Sequence, residues 1–184
     1  LVRPAAVEAV GGLLAAFDEP AKFAPFCALV PHMVQIITVG LNSGTQFAQL
    51  TCENIELMVE IAEAHPRLFQ PHLALVVAFF MQLAQTPTVE RGIRGLALEF
   101  LVTLAEAKPS WVRRMPQFLT TLMPIVFTGL VSVAEDPQWE AKNDDTEDDE
   151  SESTRAQWAL DRLSMALGGK TLMPLLFEAL PNMM

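Results

Sequence analysis

Basic residues are scarce in this 184-residue chain, and their scarcity disfavours one large class of function. Twelve Lys and Arg stand against 22 Asp and Glu, which gives a formal net charge of −10. Proteins that bind DNA or RNA directly present a basic face to the phosphates. Because the few basic residues are scattered along the chain, the sequence argues against a direct nucleic-acid role.

Cysteine and long apolar runs are also rare. Cys27 and Cys52 form no CxxC motif and sit inside apolar helical patterns, so we expect two buried, reduced thiols rather than a disulfide. The longest uninterrupted apolar run, Leu73 to Met81, is about half of the ~20 residues that cross a bilayer. Membrane insertion is therefore not expected.

Catalytic and metal-binding motifs are absent from the sequence. It contains no P-loop, no G-x-S-x-G, no H-E-x-x-H and no glycine-rich fingerprint. We interpret His32, His65 and His72 as histidines near helix ends or in the core, because no acidic or cysteine ligand has a convincing spacing to them. We expect no catalytic residue, cofactor or metal ion, and an enzyme is disfavoured.

Apolar spacing is helical nearly throughout, as in Val7, Val10, Leu13, Leu14 and Phe17. Pro and Gly interrupt the pattern at short intervals, which makes successive helices antiparallel neighbours. The sequence predicts an all-α fold with helices at about 2–17, 22–41, 45–64, 69–85, 88–107, 110–134, 154–167 and 170–182. Pro25, Pro71 and Pro174 are placed in first helical turns, Pro31 and Pro124 deeper in their helices, and Pro116 in either position.

An internal repeat supports a stacked arrangement. The segment from Ile61 to Pro66 matches that from Leu104 to Pro109 at an offset of 43 residues, and Pro20–Pro25 matches Pro66–Pro71 at 46. A helix pair recurring every ~40–47 residues is the period of HEAT and armadillo repeats. We therefore predict one α-solenoid of about four HEAT repeats, at about 1–42, 43–86, 87–134 and 154–184.

An acidic segment at about 135–153 interrupts this array before its last pair. Ten of its residues are acidic and one is Lys142, so it carries a net charge of −9 while the remaining chain carries −1. Such a loop attracts basic surfaces, although a merely solvated insertion has the same composition. Trp139 is the candidate anchor of the loop.

Several of these stretches together resemble a known family. The stretch from Glu135 to Trp139, the acidic run, Ala159-Leu-Asp-Arg-Leu163 and Leu167-Gly-Gly-Lys170 occur in the order found in the acidic-loop repeat of the importin-5 (karyopherin-β3) group of the importin-β family. The helix joint from Ile61 to Pro66 resembles that family as well. The chain begins at Leu1 without Met, and we expect a fragment from inside a longer receptor.

The resemblance implies a nuclear import receptor that shuttles between cytoplasm and nucleus. Its implied partners are the GTPase Ran in its GTP form, basic cargo carrying nuclear localisation signals, and FG-repeat nucleoporins. The acidic loop would contribute to the Ran contact, and inner-surface helices would contact cargo. Carried over from the family by position, the candidate binding residues of the loop, beside Trp139 as its anchor, are Glu135, Asp136, Asp144, Asp145, Glu147, Asp148, Asp149 and Glu150. The alternative interpretation is a non-transport HEAT scaffold that organises a protein complex.

Overall fold

The computed structural model describes residues 9, 12, 24–44, 47–132 and 151–179. Within these residues the chain is helical and contains no β-strand, so the all-α prediction is confirmed there. Most of the predicted helix at 2–17 lies outside the described residues. The elements with defined bounds are two 3-10 helices, η1 (Ala24–Leu29) and η2 (Pro66–His72), and eight α-helices: α1 (Val30–Asn42), α2 (Ala48–Ala64), α3 (Leu73–Gln85), α4 (Arg91–Ala107), α5 (Pro109–Val112), α6 (Pro116–Val131), α7 (Glu152–Leu167) and α8 (Gly169–Ala179).

Helices end where the sequence places its stop signals. His65 and Lys108 leave the helical conformation at φ −133°, ψ 53° and φ −140°, ψ 67°, respectively. Each precedes a proline, whose ring disfavours the helical conformation in the residue before it. Gly168 ends α7 at φ 81°, a region that glycine adopts without a Cβ penalty.

One predicted helix is divided in two. The sequence predicted a continuous helix over 110–134, but α5 ends at Val112 and α6 begins at Pro116. Met115 is extended, with φ −99° and ψ 97°. The prediction of a single helix was wrong because Pro116 cannot donate the N–H bond that a continuing helix needs, and its proper place is a first turn.

Other prolines also differ from their predicted positions. Pro31 is the second residue of α1 rather than a deep position, because the preceding turn is the 3-10 helix η1. Pro71 lies in η2, before α3 starts, and Pro174 is the sixth residue of α8 rather than part of its first turn. Pro124 lies inside α6, as predicted.

The helices form two layers. In one layer α2 contacts α4 and α4 contacts α7; in the other, α1, α3, α6 and α8 contact one another in that order. The layers meet where α1 packs on α2, α3 on α4, α6 on α7 and α7 on α8. Each helix therefore buries its apolar side against neighbours from adjoining parts of the chain.

Aromatic rings fill the middle of this core. The rings of Phe80 and Phe100 stack with centroids 4.0 Å apart, and Phe69 meets Phe100 edge-on at 5.3 Å. All three side chains are fully buried. Such aromatic pairs contribute about 0.5–1.5 kcal/mol beyond the burial of their area. Phe100 thereby joins η2, α3 and α4.

Two described helical stretches, Pro25–Asn42 and Pro66–Gln85, are long and apolar enough to span a membrane by length and composition. The sequence predicted no membrane insertion because its longest uninterrupted apolar run, Leu73 to Met81, is shorter than either stretch. Both stretches take part in the helix layers, where α1 contacts α2 and α3 contacts α4. Core helices of soluble proteins pass the same test of length and composition.

Candidate functional site

The predicted loop residues lie outside the described part of the chain. This applies to the anchor candidate Trp139 and to the acidic candidates Glu135, Asp136, Asp144, Asp145, Glu147, Asp148, Asp149 and Glu150. The structure does describe both flanks of this segment, Ser132 after α6 and Ser151 before α7.

The C-terminal flank begins α7 with a side-chain cap. Ser151 is the N-cap residue, and its Oγ accepts a hydrogen bond of 3.1 Å from the backbone N–H of Thr154. The two hydroxyl oxygens also lie 2.8 Å apart, within hydrogen-bonding distance. The helix therefore starts at Glu152, two residues before the predicted start. The serine cap is a sequence signal that could have placed it there.

Glu152 connects the two flanks. Its Oε1 accepts a hydrogen bond of 3.0 Å from Arg94 Nη2, and its Oε2 accepts one of 3.2 Å from Ser132 Oγ. Arg91 Nε lies 3.9 Å from the same Oε2. One carboxylate thus holds the end of α6, the start of α7 and the first turn of α4 at one place. We call this contact the flank clamp (Arg94, Ser132 and Glu152).

A second charged contact joins α4 to α7 farther along. Arg162 Nη1 donates to both carboxylate oxygens of Glu99, at 2.6 and 2.8 Å. Its Nε and Nη2 donate to Glu106 Oε2, at 3.0 and 2.6 Å, and Nη2 also donates to Thr103 Oγ1 at 3.2 Å. Hydrogen bonds to Glu106, followed by those to Glu99, raise the pKa of Arg162 further above its usual value. We call this group the Arg162 cluster (Glu99, Thr103, Glu106 and Arg162).

A third arginine binds the C-terminal end of α7. Arg113, in the turn after α5, donates from Nη2 to the carbonyl oxygens of Ala166 and Leu167, each at 3.2 Å. The last carbonyls of a helix have no partner within the helix and carry partial negative charge. The turn between α5 and α6 therefore places the positive charge of Arg113 next to the C-terminal end of α7.

Small residues let α7 approach its neighbours. A Cβ on Gly129 of α6 would lie 2.9 Å from the Cβ of Ala156, closer than real side chains come. A Cβ on Gly95 of α4 would collide with the guanidinium of Arg155. A larger side chain at Gly129 would therefore force α6 and α7 apart, whereas one at Gly95 would displace only the flexible end of Arg155.

An open groove of about 550 Å³ runs along the α2–α4–α7 layer. Trp158, which is 54% exposed, forms one wall. Glu56 and Cys52 of α2 line another part of it. Burial raises the pKa of the Cys52 thiol, and the negative charges of Glu90, Glu56 and Glu53 raise it further. Neither cysteine forms a disulfide, and both are only partly buried, so the expectation of buried thiols was wrong.

Four glutamates lie exposed along α2 and form an acidic surface that was not predicted from the sequence. They are spaced three, four and three residues apart, and the helix contains no Lys or Arg. This spacing places them along one side of the helix. The row consists of Glu53, Glu56, Glu60 and Glu63, and we call it the α2 acidic row. Among the described residues it has no ion-pair partner; Glu53 accepts a hydrogen bond from Gln49.

The described residues contain no group of three His, Cys, Asp or Glu side chains that could hold a metal ion. The polar features that they do contain are charged contacts between helices and an exposed acidic face. Together with the two helix layers, these features define a helical-repeat protein with surfaces suited to protein partners.

Comparison with known proteins assigns this helical-repeat protein to a family. The importin repeat family matches residues 86–174, and a family described as IPO5-like, TPR repeats matches residues 1–79. Importin subunit beta-3 of Saccharomyces cerevisiae is 27% identical over 186 residues, covering 99% of this chain and 17% of that protein. Kap121p bound to RanGTP is similar with a TM-score of 0.82 and 25% identity, covering 98% of this chain and 18% of that one. Kap121p bound to Nup53p gives a TM-score of 0.80 and 25% identity, covering 97% and 17%.

The chain is thus matched by importin-repeat families over residues 1–79 and 86–174. It consists of importin repeats of the IPO5-like type, homologous to yeast importin subunit beta-3 over nearly its whole length. It spans about a sixth of the length of that curated relative.

Proposed function

We propose that this chain is part of a nuclear import receptor that shuttles between cytoplasm and nucleus. Its partners are Ran in the GTP form, basic cargo carrying nuclear localisation signals, and FG-repeat nucleoporins. The observation that carries the proposal is the similarity, over 98% of this chain, to Kap121p bound to RanGTP. The likeness to Kap121p bound to Nup53p supports it further.

Within this proposal the chain forms about four HEAT repeats, at about 1–42, 43–86, 87–134 and 154–184. The acidic segment at about 135–153 leads into the last helix pair, with Glu152 and Ser153 in the first turn of α7, and binds basic partner surfaces. The flank clamp supports this role, because Glu152 ties the start of α7 to Ser132 and Arg94 and so holds the end of α6 beside the start of α7.

The α2 acidic row supports the binding of basic cargo. Its four carboxylates are exposed, and the helix has no cation of its own to neutralise them. An exposed row of one charge raises the rate of encounter with an oppositely charged partner and weakens with salt. Trp158, beside the groove, adds an aromatic surface that favours cationic side chains.

The test is to neutralise six loop carboxylates in the full-length receptor and measure RanGTP affinity at low and at physiological salt. The variant carries Asn or Gln in place of Asp144, Asp145, Glu147, Asp148, Asp149 and Glu150. A matched control exchanges Asp for Glu and Glu for Asp at the same positions, so that charge is kept. We expect the neutral variant to bind more weakly and with less salt dependence, and the control to bind like the wild type. Equal affinity and equal salt dependence in all three proteins would show that the segment does not bind Ran.

The alternative function is a scaffold that organises a protein complex without a role in transport. The family's repeat architecture serves this function equally well. The two functions differ in one property, because binding by a scaffold does not depend on the nucleotide held by Ran. Partner binding that persists unchanged in the presence of RanGTP would favour the scaffold.

A further inference from the structure

A cavity of about 300 Å³ between α3, α4, α6 and α7 collects positive charge in an otherwise acidic chain. Its charged lining consists of three arginines and one glutamate, and we call it the arginine cavity (Arg91, Arg94, Arg155 and Glu152). The chain has only twelve Lys and Arg, so a quarter of them line this one space. Arginine keeps its charge at any physiological pH, and the surplus of positive charge cannot be relieved by losing a proton. The arginine cavity therefore favours a further anion.

The arginines already show how they hold a carboxylate. Arg94 Nη2 donates to Glu152 Oε1 at 3.0 Å, whereas Arg94 Nε is buried and has no hydrogen-bond partner among the described residues. Arg91 Nε lies 3.9 Å from Glu152 Oε2, beyond hydrogen-bond distance, and the Arg91 side chain is 49% exposed. A guanidinium carries five N–H donors, so one glutamate leaves donors of Arg91 and Arg94 for a second carboxylate.

The remaining wall of the arginine cavity is largely apolar. Leu98 of α4 and Pro124 and Ile125 of α6 contribute to it. Apolar walls keep water away, and a charge pair beside them is stronger than one in open solvent. A carboxylate carried on a peptide chain can cover these walls with its own carbon atoms, which a hydrated inorganic ion cannot do. The lining therefore fits an acidic peptide segment.

One acidic segment of this chain is joined to the rim of the arginine cavity in the sequence. Residues 133–150 include nine Asp and Glu and one Lys. The residue before the segment, Ser132, donates from Oγ to Glu152 at 3.2 Å, and Glu152 follows the segment closely in the sequence and lines the cavity. A flexible tether of this kind raises the local concentration of its carboxylates to about the millimolar range. Charge and connectivity thus select this segment over an acidic segment of another protein.

We propose that the arginine cavity binds the acidic segment 133–150 of its own chain, through carboxylates held by Arg91 and Arg155 beside Glu152. A basic partner that binds the same segment must then displace it from the arginines. That competition rests on the proposed function, whereas binding within the chain requires neither Ran nor cargo.

The test uses the full chain and a fluorescein-labelled peptide with the sequence of residues 143–150, with binding followed by fluorescence anisotropy at low salt. In the wild type the tethered segment competes with the peptide for the arginine cavity. Removing this competitor should tighten peptide binding at least about fivefold. The neutral-segment variant that removes it carries Asn or Gln in place of Asp144, Asp145, Glu147, Asp148, Asp149 and Glu150. Equal affinity in both chains, or no peptide binding to either, would overturn the proposal.

A matched pair of threonine variants locates the peptide, because the neutral-segment chain is also less negative as a whole. Thr128 lines the arginine cavity, and Thr120 is exposed on the same helix outside it. Each hydroxyl donates to a carbonyl of its own helix, at 2.8 Å from Thr128 and 3.2 Å from Thr120. In the neutral-segment chain, Thr128→Glu should abolish the gain in peptide affinity and Thr120→Glu should keep it. Equal losses would reduce the effect to net charge and overturn the proposal.

Removing arginines gives a third comparison in the neutral-segment chain. Arg91→Gln with Arg155→Gln should lose peptide binding. Arg67→Gln with Arg114→Gln removes the same charge from exposed positions outside the arginine cavity and should change affinity by no more than about twofold. Equal losses in the two pairs would contradict a site at the cavity. The threonine pair keeps every arginine and does not depend on how these variants fold. If Ran binding fails while the peptide results hold, the proposed function fails and this inference stands.

Discussion

Around Phe100, helices α3 and α4 meet through buried aromatic rings, whereas α4 and α7 are also joined by charged side chains at Arg162 and Glu152. The first contact depends on shape and on exclusion of water, and salt affects it little. The second depends on individual hydrogen bonds between charged groups, which form only in one register of α4 against α7, and salt weakens it. The salt-sensitive contact thus includes Glu152, at the start of the helix that follows the acidic segment in the sequence.

Replacing Phe100 with Ala tests the aromatic joint and has the largest expected effect. Removing a fully buried ring that stacks at 4.0 Å on Phe80 should lower the free energy of unfolding by about 3–5 kcal/mol. Urea denaturation at two salt concentrations should give the same loss. Phe177→Ala, at a side chain that is 64% exposed, is the control and should change little. A salt-dependent loss at Phe100 would contradict the comparison.

The close approach of α6 and α7 is tested by a larger residue at Gly129. Gly129→Val should cost about 1–3 kcal/mol, because its Cβ would meet Ala156 at 2.9 Å. Gly92→Val in α4 is the control, since nothing lies within 4 Å of the position its Cβ would take. Urea unfolding of both variants measures the difference. If the two variants lose equal stability, helix propensity rather than packing explains the effect.

The cap of α7 has a smaller expected contribution. Ser151→Ala removes the acceptor of the Thr154 N–H and should lower stability by about 1 kcal/mol. Ser153→Ala, whose hydroxyl makes only a 3.5 Å contact with the Leu130 carbonyl, should have a weaker effect. Thermal unfolding followed by circular dichroism compares them. Identical melting curves for Ser151→Ala and the wild type would show that the cap is dispensable.

The flank clamp is tested by Glu152→Gln. Its ion pair with Arg94 is partly exposed, so the loss should be about 0.5 kcal/mol at low salt and smaller at high salt. Glu178→Gln removes the same charge from α8 and serves as the control. Chemical denaturation across a salt series measures both. A loss that does not decrease with salt would contradict an electrostatic clamp.

Cys52 reports the local field of Glu90 and of the α2 acidic row, and here the effect appears in a reaction rate rather than in stability. Its raised pKa keeps the neutral thiol dominant to higher pH, so iodoacetamide should modify it appreciably only above the pH at which an unperturbed thiol reacts. In a Cys27→Ser background, Glu56→Gln should shift the reactivity midpoint to lower pH. Glu99→Gln is the control and should leave it unchanged. Equal shifts would show that Arg162 does not neutralise Glu99.

The raised pKa of the Cys52 thiol also makes the stability of the fold depend on pH. The folded state favours neutral Cys52, whereas the unfolded thiol ionises at its ordinary pKa. The stabilisation that Cys52 contributes is therefore fully present at pH values below the pKa of the unfolded thiol. It is lost as the pH rises through the pKa of the folded thiol.

The sequence predicted the helices well where a single residue ends them. Pro66 and Pro109 stop α2 and α4 through local sterics, which require no knowledge of neighbouring helices. The break at Met115 was missed because Pro116 fits either a first turn or a kink until its neighbours are known.

The polar contacts could not be predicted in the same way. Arg162 meets Glu99 across 63 residues of sequence, and this contact depends on the register between α4 and α7 rather than on spacing along one helix. The α2 acidic row, by contrast, follows from spacing alone and was available in the sequence. The predicted binding residues from Glu135 to Glu150 remain a prediction.

Binding to Ran loaded with either nucleotide tests the central claim most directly. Calorimetry with the full-length receptor at physiological salt should give an affinity for the GTP form at least about tenfold higher than for the GDP form, a difference of about 1.4 kcal/mol. Equal affinities, or no binding to either form, would contradict the proposal that this chain is part of a Ran-regulated import receptor.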